Sequence, residues 1–314
     1  MLGKVAGGIY WMFRYLERSE NIARLIEAGL RIALTRGGKA ADEWRSLIET
    51  VGMREAYEAK YENDYSAQRV VDFMLRGKDD HCSVACMIEQ ARNNGRMSRA
   101  SMTREVWEAL NDCYYAVKEA FRHPIPQSEL PNALGLVRQH SALVRGALHG
   151  TMLRNDIYDF SRLGTFIERA DNTARILDVK YYTLLPHASF VGSSLDNVQW
   201  ETVLRSVSAH RSFRWLGESE MTASAIADFL ILDRRLPRSL SFCAKQISNN
   251  LGYLAEDYGE RHKCHDMADK LRKRLKGRTI NSIFDEGLHE FITGFIYDNN
   301  ALGLQIERDF RFSG

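Results

Sequence analysis

Proline is scarce in this sequence, with five residues in 314, three of them within residues 124–131. Because proline breaks helix interiors, long proline-free stretches permit long helices. The chain also lacks alternating runs of Val, Ile and Thr bounded by hairpin turns, which argues against β-sheet. Apolar residues instead recur at helical spacing, as in Tyr15, Ile22, Ile26 and Leu30. The sequence therefore predicts an all-α protein, a helical bundle of roughly ten helices.

Cysteine, net charge and long apolar runs are limited as well. The five cysteines are an odd number at low density, which suits a reducing compartment, so we expect a cytoplasmic protein. The net charge is +2, from 43 basic and 41 acidic residues. This balance provides no global field to attract nucleic acid. No run of about 18 apolar residues occurs, so we expect no membrane span and no membrane partner.

The proline-rich segment 124–131 is the clearest break in the helical pattern. A single helical domain of this length is physically reasonable, and we predict one domain over residues 1–314. Within it, segment 124–131 is predicted to join two pseudo-equivalent halves, residues 1–123 and 132–314. Each half carries one copy of a repeated motif.

The repeated motif is RYLERSENIARLIE at residues 14–27 and TFIERADNTARILD at residues 165–178. Five aligned positions are identical: Glu17/Glu168, Arg18/Arg169, Asn21/Asn172, Ala23/Ala174 and Arg24/Arg175. Unrelated amphipathic helices share apolar stripes rather than polar residues in a fixed order. We therefore interpret the two segments as an internal repeat.

On a helix with about 100° per residue, each copy places a carboxylate, an amide and a guanidinium in one row. These rows are Glu17, Asn21 and Arg24 in the first copy, and Glu168, Asn172 and Arg175 in the second. Arg18 and Arg169 lie at the edge of the apolar side, so a second guanidinium of each copy is directed partly inward.

Three uses of these rows stay open. Each row can be a solvated face with ordinary intrahelical ion pairs. The two helices can instead pack together, with Glu17 paired to Arg169 and Glu168 to Arg18, because buried charge is tolerated when it is paired. The rows can also form a pocket for an anionic or zwitterionic ligand. The sequence slightly favours the interhelix pairing.

Motifs for metal binding, nucleotide binding and nucleophilic catalysis are incomplete. Glu286 and His289 form one Glu-x-x-His pair, whereas carboxylate-bridged di-iron bundles use two. Neither a phosphate-binding Gly-rich loop nor a Gly-x-Ser-x-Gly elbow occurs. We expect no metal site and no cofactor bound by this chain.

Several motifs occur in an order that resembles the bacterial alpha-E family, an all-helical domain with a Glu-Arg motif. They are YWMFRYLERSENIARLIE, SVACMIEQARNNGRMSRASMTREVWEALND, FSRLGTFIERADNTARILD, FLILDRRLPRSL and GLHEF. The family's signature positions fall at Glu17-Arg18, Glu168-Arg169, Asp233, Pro237-Arg238-Ser239 and His289-Glu290. Gly95 departs from the usual "ENAR" form of the second segment, and weakens its helix by up to about 1 kcal/mol.

The resemblance implies a context more than an activity. The resemblance implies that the chain is a partner of a circularly permuted ATP-grasp protein and of a transglutaminase-like peptidase. The implied function is that of an accessory, substrate-binding or partner-binding protein in a bacterial ATP-grasp-dependent system that makes or modifies peptide-like bonds. ATP and Mg²⁺ would bind to the ATP-grasp partner. The alternative is an enzyme that acts on an amide or peptide, with Glu17 and Glu168 as acid and base. The substrate and the oligomeric state, a homo-oligomer included, stay open.

Overall fold

Helices make up the regular structure of the described part of the chain. The computed structural model describes residues 3–35, 40–77, 83–184, 194–217 and 221–312, so Cys82 lies outside it. The described residues contain fifteen α-helices, one short 3₁₀ helix and no strand, which confirms the all-α prediction. Several of these helices are short, so there are more than the roughly ten predicted from periodicity. None of the described helices is long and apolar enough to cross a membrane.

The first compact unit, unit 1, comprises residues 1–165 and 310–314. Its helices are α1 (Gly3–Thr35), α2 (Ala40–Thr50), α3 (Arg54–Tyr61), α4 (Ala67–Arg76), α5 (Val84–Met97), α6 (Arg104–Ala120), α7 (Leu130–Thr151) and the first part of α8 (Asp156–Leu184). The long helix α1 packs along α5 and α7, and α6 packs along both α5 and α7. The proline-rich segment 124–131 follows α6 and ends in the first turn of α7, which contains Pro131. Proline is tolerated there because the N–H groups of a first turn have no partner within the helix.

Two glycines allow the helices of unit 1 to approach closely. A Cβ atom on Gly164 would overlap the main chain of Tyr10, so α8 and α1 are in direct backbone contact there. A Cβ atom on Gly95 would overlap the side chain of Leu110 and lie 3.1 Å from the Sδ of Met12. The glycine that weakens α5 locally therefore makes room for α6 and α1.

The second compact unit, unit 2, comprises residues 166–309. It contains the rest of α8, then α9 (Ser194–Ser206), α10 (His210–Arg214), α11 (Ala223–Ile231), α12 (Leu240–Tyr258), α13 (Lys263–Leu275), α14 (Ile280–Glu286) and α15 (Leu288–Asp309). Helix α13 packs against α12 and α15. In the core, Asn299 of α15 donates a hydrogen bond from Nδ2 to the carbonyl of Ile167, 3.0 Å away. The single domain and its two pseudo-repeat halves stay predictions.

Candidate functional site

The first copy of the repeated motif lies on α1 and is buried. Glu17, Glu20 and Asn21 are 1%, 2% and 2% exposed. Arg145 of α7 reaches both carboxylates: its Nη1 lies 3.6 Å from Oε2 of Glu17, and it also forms an ion pair with Glu20. Arg24 pairs with Glu20 four residues earlier and donates a 3.4 Å hydrogen bond to Oδ1 of Asn21. These five residues, which we call the α1 cluster, form a buried charge network rather than a solvated face.

A second ion pair joins the same two helices. Nη1 of Arg138 lies 2.6 Å from Oε2 of Glu27. Arg138 and Arg145 are seven residues apart and therefore lie on one face of α7. Neither arginine was predicted as a site residue, although each ends a Leu-Val-Arg tripeptide in LVRQHSALVR. This seven-residue recurrence is the signal that could have identified them.

The second copy of the motif lies on α8 and repeats the local ion pair of the first. Nε of Arg175 lies 2.6 Å from Oδ2 of Asp171. The motif alignment pairs Asp171 with Glu20 and Arg175 with Arg24, so both copies form the same i,i+4 contact. Glu168 is 3% exposed. Asn172 is half-buried, and its Nδ2 has no hydrogen-bond partner among the described residues.

Arg169 and Thr173 attach α8 to a turn formed by residues 233–239. Nη1 of Arg169 donates to the carbonyl of Pro237 at 3.4 Å, and its guanidinium lies 5.4 Å from the ring centroid of Phe166. Oγ1 of Thr173 donates to the carbonyl of Arg238 at 2.9 Å. The inward guanidinium of the second copy therefore contacts a main-chain carbonyl of unit 2. The half-buried Arg18 is its counterpart in the first copy. The pairings of Glu17 with Arg169 and of Glu168 with Arg18 stay predictions.

Asp233 and Ser239 stabilise this turn. Oδ1 of Asp233 accepts hydrogen bonds from the N–H groups of Arg235 and Leu236, at 2.6 and 3.0 Å. Burial would raise the pKa of Asp233, but the hydrogen bonds from the Arg235 side chain and from both N–H groups outweigh it and lower the pKa. The Ser239 hydroxyl donates to the carbonyl of Asp233 and accepts from the N–H of Phe242 at 3.0 Å, which caps α12. Two signature positions therefore have a structural role.

Three further signature residues, Arg238, His289 and Glu290, belong to unit 2. Arg238 is buried, with 8% of its surface exposed. Nδ1 of His289 lies 2.6 Å from Oδ1 of Asp178, the acidic residue that ends the second copy. Its counterpart Glu27 contacts Arg138 in unit 1, so both copies end in a contact with a neighbouring helix. Glu290 is exposed, and its carboxylate folds back against Gly287.

Within the described residues, no group of three or more His, Cys, Asp or Glu side chains is placed to bind a metal ion. Glu286, which precedes His289 in the one Glu-x-x-His pair, forms an ion pair with Arg278.

The fold and site together define an all-helical protein in which both copies of a charged motif are largely buried and paired. A family model for Alpha-E, described as a predicted alpha-helical domain with a conserved ER motif, matches residues 1–310. The chain therefore belongs to the Alpha-E family, as the order of its motifs indicated. No curated protein and no solved structure matches it.

Proposed function

We propose that this Alpha-E protein is a partner-binding accessory subunit of a bacterial ATP-grasp-dependent system that makes or modifies peptide-like bonds. The proposed partner is a circularly permuted ATP-grasp protein, which would bind ATP and Mg²⁺ itself. A transglutaminase-like peptidase is a further partner that the resemblance implies. The proposal places this system in the cytoplasm. The observation that carries it is an exposed, arginine-rich groove in unit 1.

The groove lies where α5 ends and α6 begins, and has a volume of about 600 Å³. Three exposed guanidinium groups line it, from Arg96, Arg99 and Arg104. Met97 contributes an apolar side chain that is 71% exposed. The guanidinium of Arg99 lies 5.5 Å from the ring centroid of Trp107. Arginine, methionine and tryptophan are the residue types enriched at protein–protein interfaces and their energetic centres.

The charges of the groove favour an acidic partner surface. Arg104 pairs with Glu108 at 2.6 Å. Arg96 and Arg99 form no ion pair within the described part of the chain. Their positive charge is therefore available to a partner, and complementary charges accelerate association and fix the orientation of a complex. We infer that an acidic segment of the ATP-grasp protein occupies the groove.

The buried clusters of the repeat fit the role of a scaffold within this function. In unit 1 the carboxylates of Glu17 and Glu20 contact Arg145, and in unit 2 Asp171 contacts Arg175. The Arg145 pairs join α1 to α7, and these two helices pack along α5 and α6, which carry the groove. Because these charges are used within the fold, partner recognition is left to exposed residues.

Co-purification with a circularly permuted ATP-grasp protein from the same bacterium tests the proposal. We expect a complex whose dissociation constant rises at least about tenfold in the Arg96→Glu/Arg99→Glu variant, because charge reversal removes attraction and adds repulsion. The Arg272→Glu/Lys273→Glu variant is the matched control, since it makes the same charge change on exposed residues of α13. Equal binding by both variants, or full ligase activity without this chain, would overturn the proposal.

A further inference from the structure

A cavity lies at the other end of the α5–α6 pair from the groove. It has a volume of about 470 Å³ and lies among the end of α4, the first turns of α5 and the last turns of α6. All of its described lining residues belong to unit 1. Small-molecule sites typically have volumes of roughly 300–1,000 Å³. The cavity therefore has the size of a site for a small ligand.

The floor of the cavity is apolar. Ile88, Val117 and Phe121 line it and are 0%, 1% and 6% exposed. A ligand that places an apolar group on these side chains removes that group from water, which favours binding in proportion to the area covered.

Three cations and one carboxylate line the same cavity. They are Arg76, Lys118, Arg122 and Glu89. Arg76 has a fixed position, because its Nε donates to the carbonyl of Phe121 at 2.9 Å and its Nη1 pairs with Asp72.

Lys118 and Arg122 are exposed. The Lys118 ammonium lies 5.5 Å from the ring centroid of Tyr114, and Arg122 lies 3.9 Å from the exposed Glu119. Among the described residues, Glu89 forms no ion pair with any of the three cations of the cavity. Groups of opposite charge therefore line one cavity without neutralising each other.

We propose that this cavity binds a zwitterion with an apolar side chain, the chemical class of amino acids and short peptides. The carboxylate of the ligand pairs with Arg76 and Lys118, because hydrogen bonds between charged groups are stronger than those between neutral groups. Its ammonium group pairs with Glu89, and its side chain covers Val117 and Phe121. This site is distinct from the groove, so its test does not depend on the proposed docking of an ATP-grasp protein.

Titration calorimetry of the full chain with the dipeptide leucyl-leucine tests the assignment. We expect saturable binding that weakens about tenfold when the dipeptide is N-acetylated or C-amidated, because each change removes one charge. Lys118→Gln should weaken binding of the free dipeptide but leave the C-amidated form unchanged. Glu89→Gln should weaken binding of the free dipeptide but leave the N-acetylated form unchanged. The matched controls are Lys4→Gln and Glu105→Gln, since both residues are exposed and lie outside the cavity lining.

Thiol labelling locates the bound dipeptide. Cys86 lines the cavity and is partly exposed, whereas Cys113, Cys243 and Cys264 are buried. In a Cys82→Ser background, leucyl-leucine should slow maleimide labelling of Cys86.

Ala85→Phe, which fills the cavity, should abolish calorimetric binding while the helical circular dichroism signal is kept. Unchanged labelling at saturating dipeptide, absence of saturable binding, or equal protection by inorganic phosphate would overturn the proposal, the last in favour of a simple anion site.

Discussion

Replacing Arg145 by methionine tests whether the α1 cluster stabilises unit 1. The side chain of Arg145 is 17% exposed, and those of Glu17 and Glu20 are 1% and 2% exposed. Methionine keeps most of the apolar stem of arginine but removes its charge. The variant therefore leaves two buried carboxylates with one guanidinium fewer.

The expected loss in the free energy of unfolding follows from this burial. Breaking a buried ion pair by removing one partner costs about 3–5 kcal/mol. Because Glu20 keeps its contact with Arg24, we expect the lower end, about 3 kcal/mol. Arg138→Met is the matched control, since it lies on the same face of α7 and contacts the same helix. Its pair with Glu27 is more exposed, at 34% and 26%, so its loss should be at most about 1 kcal/mol.

Urea unfolding followed by circular dichroism measures both losses, and hydrogen exchange of α1 reports whether the effect is local. The double variant Arg145→Met/Glu17→Gln should recover at least about 1 kcal/mol relative to Arg145→Met, because it also removes one buried negative charge. Equal losses for Arg145→Met and Arg138→Met would refute the reasoning. So would a double variant whose loss is the sum of the two single losses.

Three further predictions concern packing, capping and pH. Gly164→Ala should lower the free energy of unfolding by more than about 2 kcal/mol, because the added methyl group meets the main chain of Tyr10. Gly95→Ala should have a smaller effect, because its methyl group meets the end of a side chain. Urea unfolding of both variants gives the comparison. Ser239→Ala should cost about 1 kcal/mol in the same assay, because the first turn of α12 loses its cap. The pKa of Asp233 in the folded chain is below its ordinary value of 3.8. Its contribution to stability is therefore complete above that pH and is lost as pH falls through the folded pKa. Asp233→Asn should consequently destabilise near neutral pH, with a deficit that shrinks below about pH 4; a constant deficit would contradict this.

The polar row of the repeated motif is a feature that helical periodicity predicts. The spacing of Glu17, Asn21 and Arg24 places these residues in one row, and their recurrence predicts an equivalent row on α8. The matching pairs Glu20–Arg24 and Asp171–Arg175 follow from spacing within one helix, because residues four apart are neighbours on every α-helix.

The helix partners of the repeat could not be predicted in the same way. Arg145 lies 128 residues after Glu17 in the chain, and no spacing rule connects them. Whether a polar row faces water or a neighbouring helix depends on which helices pack against it. The burial of Glu17 therefore could not be predicted without the tertiary structure.

The helical class of this Alpha-E protein and its repeated motif can both be recognised from the order of its amino acids. Both are local properties, because helix formation depends on hydrogen bonds four residues apart and on apolar residues at a period of about 3.6. Three features depend on how the helices pack: the contact of Arg145 with the carboxylates of α1, the contact of Arg169 with the turn at Pro237, and the charged cavity at the ends of α4, α5 and α6. These features join residues distant in the chain, so they exist only once the helices have packed.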